Sequence, residues 1–301
     1  MTLGYDKSLY ILAFDHRGSF QKKFFGITGD PNAEEAARIS DAKTVIYEGF
    51  TRAIAEGASQ EWGGILVDEQ FGADIVRKAK ANGYNFAMPV EKSGQEEFDF
   101  QYGEDFGKHI EEFDPTFNKV LVRYNPEVNL EMNARQSERL KRLGNWLHER
   151  DRKFLFELLV PAGDSQMASV DGDPDRYDKE IRPDLMRQAI AELHTAGVEP
   201  DIWKIEGIDQ RKDCEMIAKA VRSGGRDGVV CVVLGRGADA AAVDHWLRQG
   251  SGVPGYVGFA IGRTIWWDAL KGYVDGTTPR EEATKQISAN YRRFIDVYEK
   301  G

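Results

Sequence analysis

The chain has 301 residues and carries 50 acidic against 40 basic residues, a formal net charge of −10. This excess of acids argues against a nucleic-acid or anionic-membrane surface, although a small phosphorylated substrate needs only a local basic pocket. Hydrophobic residues make up 41% of the chain, which is enough for a large core. The length fits one large α/β domain or two ordinary ones.

Cysteine content and the N-terminal sequence bear on the cell compartment. Cys214 and Cys231 are far apart in the chain and too few for a disulfide framework, which favours a reducing cytoplasm. The N-terminus is polar without a signal-peptide pattern, and no stretch approaches the roughly 18 apolar residues of a membrane span. We expect a cytoplasmic protein with a small-molecule partner and neither a membrane nor a nucleic-acid partner. A homo-oligomer is compatible with the sequence.

Short apolar runs alternate with amphipathic segments along the whole chain. Strands are predicted at Leu9–Asp15, Trp62–Glu69, Asn85–Val90, Asn118–Tyr124, Phe154–Val160, Ile202–Glu206, Val229–Leu234 and Tyr256–Ile261. Helices are predicted at Asn32–Glu56, Gly72–Asn82, a short segment ending at Phe113, Glu131–Arg150, Arg182–Ala196, Asp209–Ser223, Ala238–Gln249, Thr264–Gly272 and Arg280–Tyr298. His16–Gly26 is predicted as a loop with short helical potential. The acidic, Gly- and Pro-bearing segment Ala162–Lys179 is predicted as a loop that could cover a site.

The alternation of strands and helices predicts the fold class. Runs that are apolar on both faces are typical of parallel strands covered by helices. Eight such units in about 300 residues fit an α/β fold of the (β/α)8 TIM-barrel type, as a single domain over residues 1–301. A doubly wound sheet is the alternative, but it would normally carry a glycine fingerprint in its first βα turn. That turn reads Asp15-His16-Arg17-Gly18-Ser19, which is not such a fingerprint.

Lys204 lies in the middle of the apolar strand Ile202–Glu206. Burying an ammonium ion costs several kcal/mol unless it is paired or loses its proton. A lysine that loses its proton is the amine that forms Schiff bases with carbonyl compounds. The alternative interpretation is a lysine whose head group reaches water or pairs with Glu206.

Polar residues collect at the predicted carboxyl ends of the strands, where a TIM barrel has its active site. The residues expected there to contact a substrate are Asp15, His16, Arg17, Asp68, Arg123 and Glu206. Glu69, Glu91, Lys92 and Asn125 also fall at strand ends, whereas Lys119 is placed nearer the start of its strand. Glu157 interrupts the apolar fifth strand, so it is either a proton shuttle beside a barrel lysine or half of a structural ion pair.

Two glycine-rich turns follow the seventh and eighth predicted strands. They read Gly235-Arg236-Gly237 and Gly262-Arg263. Turns at these positions are the usual phosphate site of a TIM barrel, because bare backbone N–H groups and a helix N-terminus meet the anion there. An arginine in each turn adds bidentate donors. Alternatively, the glycines serve only to make tight turns and the arginines are surface charges.

The histidines and cysteines do not suggest a metal centre. His16 is the only histidine at a predicted strand end, and the sequence contains no histidine pair or cysteine cluster of ligand type. We therefore expect neither a metal nor a cofactor. A metal-free Schiff-base mechanism is favoured over a zinc-dependent one.

Several segments together resemble the class I aldolase superfamily that contains tagatose-1,6-bisphosphate aldolase and sulfofructose-phosphate aldolase. They are residues 11–20 (ILAFDHRGSF), 63–72 (GGILVDEQFG), 119–127 (KVLVRYNPE), 154–161 (FLFELLVP), 201–207 (DIWKIEG) and 260–266 (AIGRTIW). Residues 11–27 and 232–238 are similar to the aldolase-like domain fused behind 5-dehydro-2-deoxygluconokinase in bacterial inositol catabolism. The sugar-bisphosphate aldolases have Gln where this chain has His16. Because 301 residues leave no room for the fused kinase, we expect the protein to act alone or with a separate kinase.

The resemblance implies a TIM-barrel aldolase in which Lys204 forms the Schiff base and Glu157 is the glutamate of strand five. It implies a phosphorylated keto acid or keto sugar as substrate, with 6-phospho-5-dehydro-2-deoxy-D-gluconate as the first candidate. Asp15 and Arg17 would then hold hydroxyls or the carboxylate, and the arginines of the glycine turns would hold the phosphate. Two alternatives remain open: a phosphosugar isomerase or epimerase on the same barrel, and a non-catalytic phosphosugar sensor.

Overall fold

The computed structural model describes residues 2–301 and confirms the predicted (β/α)8 barrel. Each strand pairs in parallel with its neighbours in sequence, and the eighth strand pairs with the first, so the sheet closes. The strands are β1 (Leu9–Ala13), β2 (Gly63–Leu66), β3 (Asn85–Pro89), β4 (Phe117–Arg123), β5 (Lys153–Leu159), β6 (Ile202–Glu206), β7 (Val230–Leu234) and β8 (Tyr256–Ile261).

The two faces of the strands belong to separate apolar cores. Inward-facing residues such as Leu9, Ile11 and Leu155 pack together inside the barrel. Outward-facing residues such as Leu12 and Phe156 join the larger core beneath the helices. Because both faces are buried, the strands read in the sequence as continuous apolar runs rather than as an alternating pattern.

The helices form the outer ring. They are α1 (Gly18–Phe25), α2 (Ala33–Ala55), α3 (Glu69–Ala81), α4 (Phe106–Phe113), α5 (Leu130–His148), α6 (Asp164–Ser169), α7 (Pro174–Arg176), α8 (Arg182–Thr195), α9 (Arg211–Val221), α10 (Ala240–Gly250), α11 (Arg263–Val274) and α12 (Arg280–Lys300). A short 3-10 turn covers Gly103–Asp105. Within residues 2–301, every helix is too short or too polar to cross a membrane.

Several predicted elements differ from the structure, and three of the differences bear on the site. Strand β1 ends at Ala13 rather than Asp15. Helix α3 starts at Glu69 rather than Gly72, because the Asp68 side chain accepts a hydrogen bond from Phe71 N at 2.9 Å and caps the helix. The segment after β1 is a complete helix, since Phe20 and Phe24 are buried against Trp266.

The predicted loop Ala162–Lys179 is largely helical instead. It contains α6, α7 and the start of a π-helical turn over Tyr177–Ile181 that leads into α8. Tyr177 is buried, and its hydroxyl donates to Val160 O at 2.9 Å. This anchor gives the segment a fixed place beside the end of β5, which the polar composition of the segment did not suggest.

Candidate active site

A cavity of about 710 Å3 opens at the carboxyl ends of the strands. All of the predicted site residues except Asp68 line this cavity. They are Asp15, His16, Arg17, Arg123, Glu157, Lys204, Glu206, Gly235, Arg236, Gly237, Gly262 and Arg263. Because parallel strands end on the same side of a barrel, residues far apart in sequence converge here.

Lys204 and Glu157 form the centre of the cavity floor. Strands β5 and β6 pair with Glu157 directly beside Lys204, and Lys204 Nζ lies 3.0 Å from Glu157 Oε2. Both side chains are almost completely buried. Lys204 therefore pairs with Glu157 and not with Glu206, whose carboxylate binds Arg182 instead.

Lys119 reaches the same centre, although its position in the sequence predicts a place nearer the start of its strand. Its Nζ lies 2.9 Å from Asp15 Oδ2, 2.8 Å from Glu91 Oε1 and 3.1 Å from Glu157 Oε2. Lys119 is a site residue that sequence reasoning missed, whereas Glu91 was placed at a strand end without being assigned a role. The signal for Lys119 is the two-residue alternation of β4, which places Phe117, Lys119 and Leu121 on the inner face.

The charges in this centre balance one another. Burial alone would raise the pKa of the Asp15 and Glu157 carboxyls, but Lys119 and Lys204 outweigh burial and hold both pKa values below their usual range. Burial alone would lower the pKa of Lys119, but Asp15, Glu157 and Glu91 outweigh it, so that pKa is raised. Only for Glu91 does burial prevail and raise the pKa. Asp15 and Glu157 are therefore ionised and Lys119 is protonated at neutral pH.

His16 lies beside this centre as a neutral ring. Burial, together with the nearby cations of Arg263 and Lys43, lowers its pKa to about 4 even though Asp15 opposes the shift. The ring meets Trp266 edge-on, with 5.8 Å between ring centroids. Its Nδ1 atom is buried and has no hydrogen-bond partner among residues 2–301. A neutral imidazole with a free nitrogen can accept or donate a hydrogen bond to a substrate hydroxyl.

Asp68 lies away from the cavity, which corrects the expectation that it contacts substrate. It is buried in an ion pair with Lys43, a fully buried lysine of α2. Lys43 Nζ also donates to Phe14 O at 2.9 Å and His16 O at 3.0 Å. The pair thus secures the chain that leaves β1 and presents Asp15 and His16 to the cavity.

The two arginines of the glycine turns differ in their partners. Arg236 Nε lies 3.0 Å from Glu206 Oε1, and the same guanidinium pairs with Asp178, so its charge is already matched. Arg263 Nη2 donates to Arg236 O at 2.8 Å and has no carboxylate partner among residues 2–301. Gly237 has φ +74°, and a Cβ there would overlap the Arg263 guanidinium. This glycine therefore makes room for the arginine.

Arg17 and Arg123 line another part of the cavity wall. Arg17 Nη2 donates to Glu91 O at 2.8 Å, and its Nη1 donates to Gln101 Oε1 at 3.1 Å. Arg123 Nη1 donates to Gln95 O at 2.6 Å. Both arginines are therefore fixed by the segment that follows β3.

Within residues 2–301, no three His, Cys, Asp or Glu side chains are grouped as ligands for a metal ion. Cys214 and Cys231 are buried free thiols.

Several solved structures are similar to this barrel. A Schiff-base-forming fructose-1,6-bisphosphate aldolase matches with 15% identity and a TM-score of 0.56, over 95% of this chain and 94% of that chain. An archaeal fructose-1,6-bisphosphate aldolase, with its catalytic Lys covalently bound to a carbinolamine intermediate, matches with 14% identity and a TM-score of 0.59 over 97% and 94%. A Corynebacterium glutamicum protein matches with 17% identity and a TM-score of 0.58 over 97% and 88%. At these identities the similarity shows the fold.

Family membership rests on the sequence itself. A search of curated proteins finds no match to this chain. A family model described as "Uncharacterized protein conserved in bacteria (DUF2090)" matches residues 4–301. Because the match spans nearly the whole barrel and all the residues of the cavity, the chain belongs to this bacterial family.

Proposed function

We propose that the protein is a class I aldolase, which cleaves a phosphorylated keto acid or keto sugar through a Schiff base on Lys204. The observation that carries the proposal is the buried contact of Lys204 Nζ with Glu157 Oε2, 3.0 Å apart on the floor of the cavity. A lysine amine and a neighbouring proton acceptor are the two groups that imine formation needs. The solved aldolases of similar fold, described as forming a Schiff base or a Lys-bound carbinolamine, support the proposal.

The candidate substrate is 6-phospho-5-dehydro-2-deoxy-D-gluconate, which the sequence resemblance suggests. The Lys204 amine attacks the C5 ketone, and loss of water leaves an iminium. The C3–C4 bond then breaks, and its electron pair moves to C4, where the iminium stabilises it as an enamine. The proton of the C3 hydroxyl passes to a base, so C3 leaves as the aldehyde of malonate semialdehyde. Protonation of C4 and hydrolysis of the imine release dihydroxyacetone phosphate and free Lys204.

Glu157, acting with water, is the proposed base. Its carboxylate is ionised because Lys119 and Lys204 together outweigh burial and lower its pKa. The same oxygen contacts both lysines, at 3.1 Å and 3.0 Å, so it can pass a proton between the amine and the substrate. Lys119 keeps Glu157, Asp15 and Glu91 in fixed positions around the reacting carbons.

The proposed phosphate site is the corner formed by the turns after β7 and β8. Arg263 supplies a guanidinium that no carboxylate of the described chain neutralises, and Gly235, Gly237 and Gly262 allow backbone N–H groups to approach an anion. Arg236 is assigned a supporting role, because Glu206 and Asp178 already bind its guanidinium. Asp15, His16 and Arg17 are proposed to hold substrate hydroxyls.

Borohydride trapping tests the proposal. Borohydride added with dihydroxyacetone phosphate should reduce the iminium to a stable adduct, seen by intact mass and mapped by peptide mass spectrometry to Lys204. Lys204→Arg should give no adduct, because a guanidinium does not form the imine. Lys153→Arg is the matched control, since Lys153 pairs with Asp201 and does not line the cavity. A label on a different lysine, or no label, would contradict the proposal, and the second result would favour an isomerase or a sensor.

A further inference from the structure

The cations that line the cavity fall into two groups. Most of them have a carboxylate partner within ion-pair distance; these are Arg17, Lys92, Lys119, Lys204 and Arg236. Arg123 and Arg263 line the same cavity without such a partner among residues 2–301. A guanidinium in a concave site with no protein carboxylate is ready to bind an anion from outside.

Arg123 has a defined position at the mouth of the barrel. It is the last residue of β4, and it shares the inner face with Lys119 and Leu121 because strand residues alternate in direction. Its Nη1 donates to Gln95 O at 2.6 Å, and its other guanidinium N–H groups have no hydrogen-bond acceptor within the described part of the chain. In β5, the residue opposite Arg123 is Leu159, which is also on the cavity wall and offers no charge.

Gln95 adds a second unused donor at the same corner. Its Oε1 accepts a hydrogen bond from Asp99 N at 2.7 Å, which fixes the orientation of the amide. Its Nε2 is buried and has no partner in the described chain. A buried amide nitrogen without a hydrogen bond is costly, so this donor gains free energy when a ligand oxygen binds it.

The corner is held in shape by the buried Gln136 of α5. Gln136 Nε2 donates to Arg123 O at 2.9 Å, and Gln136 Oε1 accepts from Phe98 N at 3.2 Å. One side chain thus joins the end of β4 to the segment that carries Gln95. Donors that are fixed before a ligand arrives lose less entropy on binding it.

We propose that Arg123 and Gln95 form a carboxylate subsite, which binds the end of the substrate remote from its phosphate. The inference rests on the proposed function for the location of the phosphate at Arg263. Strands β4 and β8 are four positions apart in a closed eight-stranded barrel, so Arg123 and Arg263 lie on opposite sides of the cavity. The reacting centre at Lys204 and Glu157 lies on the floor below them. The substrate class is therefore a phosphorylated keto acid rather than a phosphorylated keto sugar with an uncharged far end.

The number and geometry of the donors favour a carboxylate at Arg123. A planar guanidinium edge matches the two oxygens of a carboxylate, and one amide N–H2 can add a third hydrogen bond. One guanidinium balances the single charge of a carboxylate. Asp99 lies near the corner, since its backbone N–H binds Gln95, but its carboxylate is paired with Lys92 at 2.9 Å, so the two side chains add no net charge there. A phosphate dianion at this corner would meet too little positive charge.

Two unreactive ligands allow the contribution of the carboxylate to binding to be measured apart from the reaction. Glucitol 6-phosphate and 6-phosphogluconate share a six-carbon chain with a terminal phosphate, and only the second carries a carboxylate at the far end. Neither has a ketone, so neither forms an imine, and their binding is measured by isothermal titration calorimetry. The unaltered protein should bind 6-phosphogluconate about 10- to 100-fold more tightly, which is the effect of one charge-assisted hydrogen-bonded pair.

The variants then assign the difference to this corner. Arg123→Met should remove the preference for 6-phosphogluconate and leave the affinity for glucitol 6-phosphate unchanged, and Gln95→Met should reduce the preference in part. Arg263→Met should weaken both ligands alike, and Arg187→Met, which removes an exposed arginine of α8 paired with Asp184, should change neither. Equal affinities in the unaltered protein, or equal losses in Arg123→Met, would overturn the proposal. These binding measurements do not depend on imine formation or turnover. A failure of borohydride trapping would therefore refute the aldolase mechanism without deciding whether Arg123 binds a carboxylate.

Discussion

Lys119 and Lys204 bind the same carboxylate oxygen, Oε2 of Glu157, at 3.1 Å and 3.0 Å. The two lysines come from β4 and β6, and the glutamate between them comes from β5, so the contact depends on the register of three strands. Asp15 and Glu91 complete the cluster by binding Lys119. Buried clusters of ionised groups generally cost stability, and they are concentrated at functional sites.

The first prediction concerns the stability of this cluster. Lys119→Met leaves buried carboxylates without their cation, and removing one partner of a buried pair costs about 3–5 kcal/mol. The free energy of unfolding, measured by urea denaturation, should fall by that order. Adding Glu91→Gln should recover part of the loss, because one uncompensated carboxylate disappears with it. If the two changes instead destabilise the protein additively, Lys119 and Glu91 are not coupled as the structure shows.

The second prediction compares the two arginines of the glycine turns. Arg263→Ala should lower kcat/KM for a phosphorylated substrate about 10- to 100-fold, the effect of one charge-assisted hydrogen-bonded contact. The loss should be much smaller for an analogue without phosphate, because the deleted contact then has nothing to hold. Arg236→Ala should affect both substrates alike, since its guanidinium is bound by Glu206 and Asp178. Equal losses on both substrates in Arg263→Ala would make that residue structural.

The third prediction concerns acid stability. His16 has a pKa lowered to about 4 in the folded protein, mainly by burial, against about 6.5 in the unfolded chain. The unfolded state therefore binds the proton first, and the folded protein loses stability as pH falls from about 6.5 toward 4. His16→Gln should flatten the pH dependence of unfolding in this window. His194→Gln is a matched comparison, because burial lowers the pKa of His194 to about 4 as well. An unchanged slope in His16→Gln would contradict the neutral state of His16.

The fourth prediction is that cleavage does not require a divalent metal. In the proposed mechanism the iminium on Lys204 supplies the electron sink, so no Lewis acid is needed. Activity should persist after dialysis against EDTA, with metal content checked by elemental analysis. Loss of activity that zinc or magnesium restores would require a different mechanism.

The pattern of apolar and polar residues along the chain predicted the barrel and its two central residues, Lys204 and Glu157. Both faces of parallel strands are buried, so each strand appears as an apolar run, and a charge inside such a run is conspicuous. Lys204 and Glu157 could be found in this way because they interrupt Ile202–Glu206 and Phe154–Val160. The glycine turns could also be found in the sequence, because they directly follow the apolar runs of the last two strands.

Contacts between distant segments could not be found in this way. Lys119 looked like the polar start of a strand, yet the tilt and register of the barrel bring its Nζ to Asp15 and Glu91. The sequence predicted that Asp68 contacts the substrate from the end of its strand. In the structure, one carboxylate oxygen of Asp68 forms an ion pair with Lys43 of α2, and the other accepts a hydrogen bond from Phe71 N. In both cases the partner is separated in sequence, and only packing selects it.

The sequence by itself determined the fold class, because strand burial and helix periodicity are local properties of the chain. It also determined that a lysine and a glutamate lie inside the barrel. The tertiary structure alone decided which cations remain free. Arg236 and Arg263 look equivalent in the sequence, but Glu206 and Asp178 neutralise Arg236, whereas Arg263 has no such partner in residues 2–301. Ion pairing depends on distances of a few ångströms between separate segments, and the order of residues does not specify those distances.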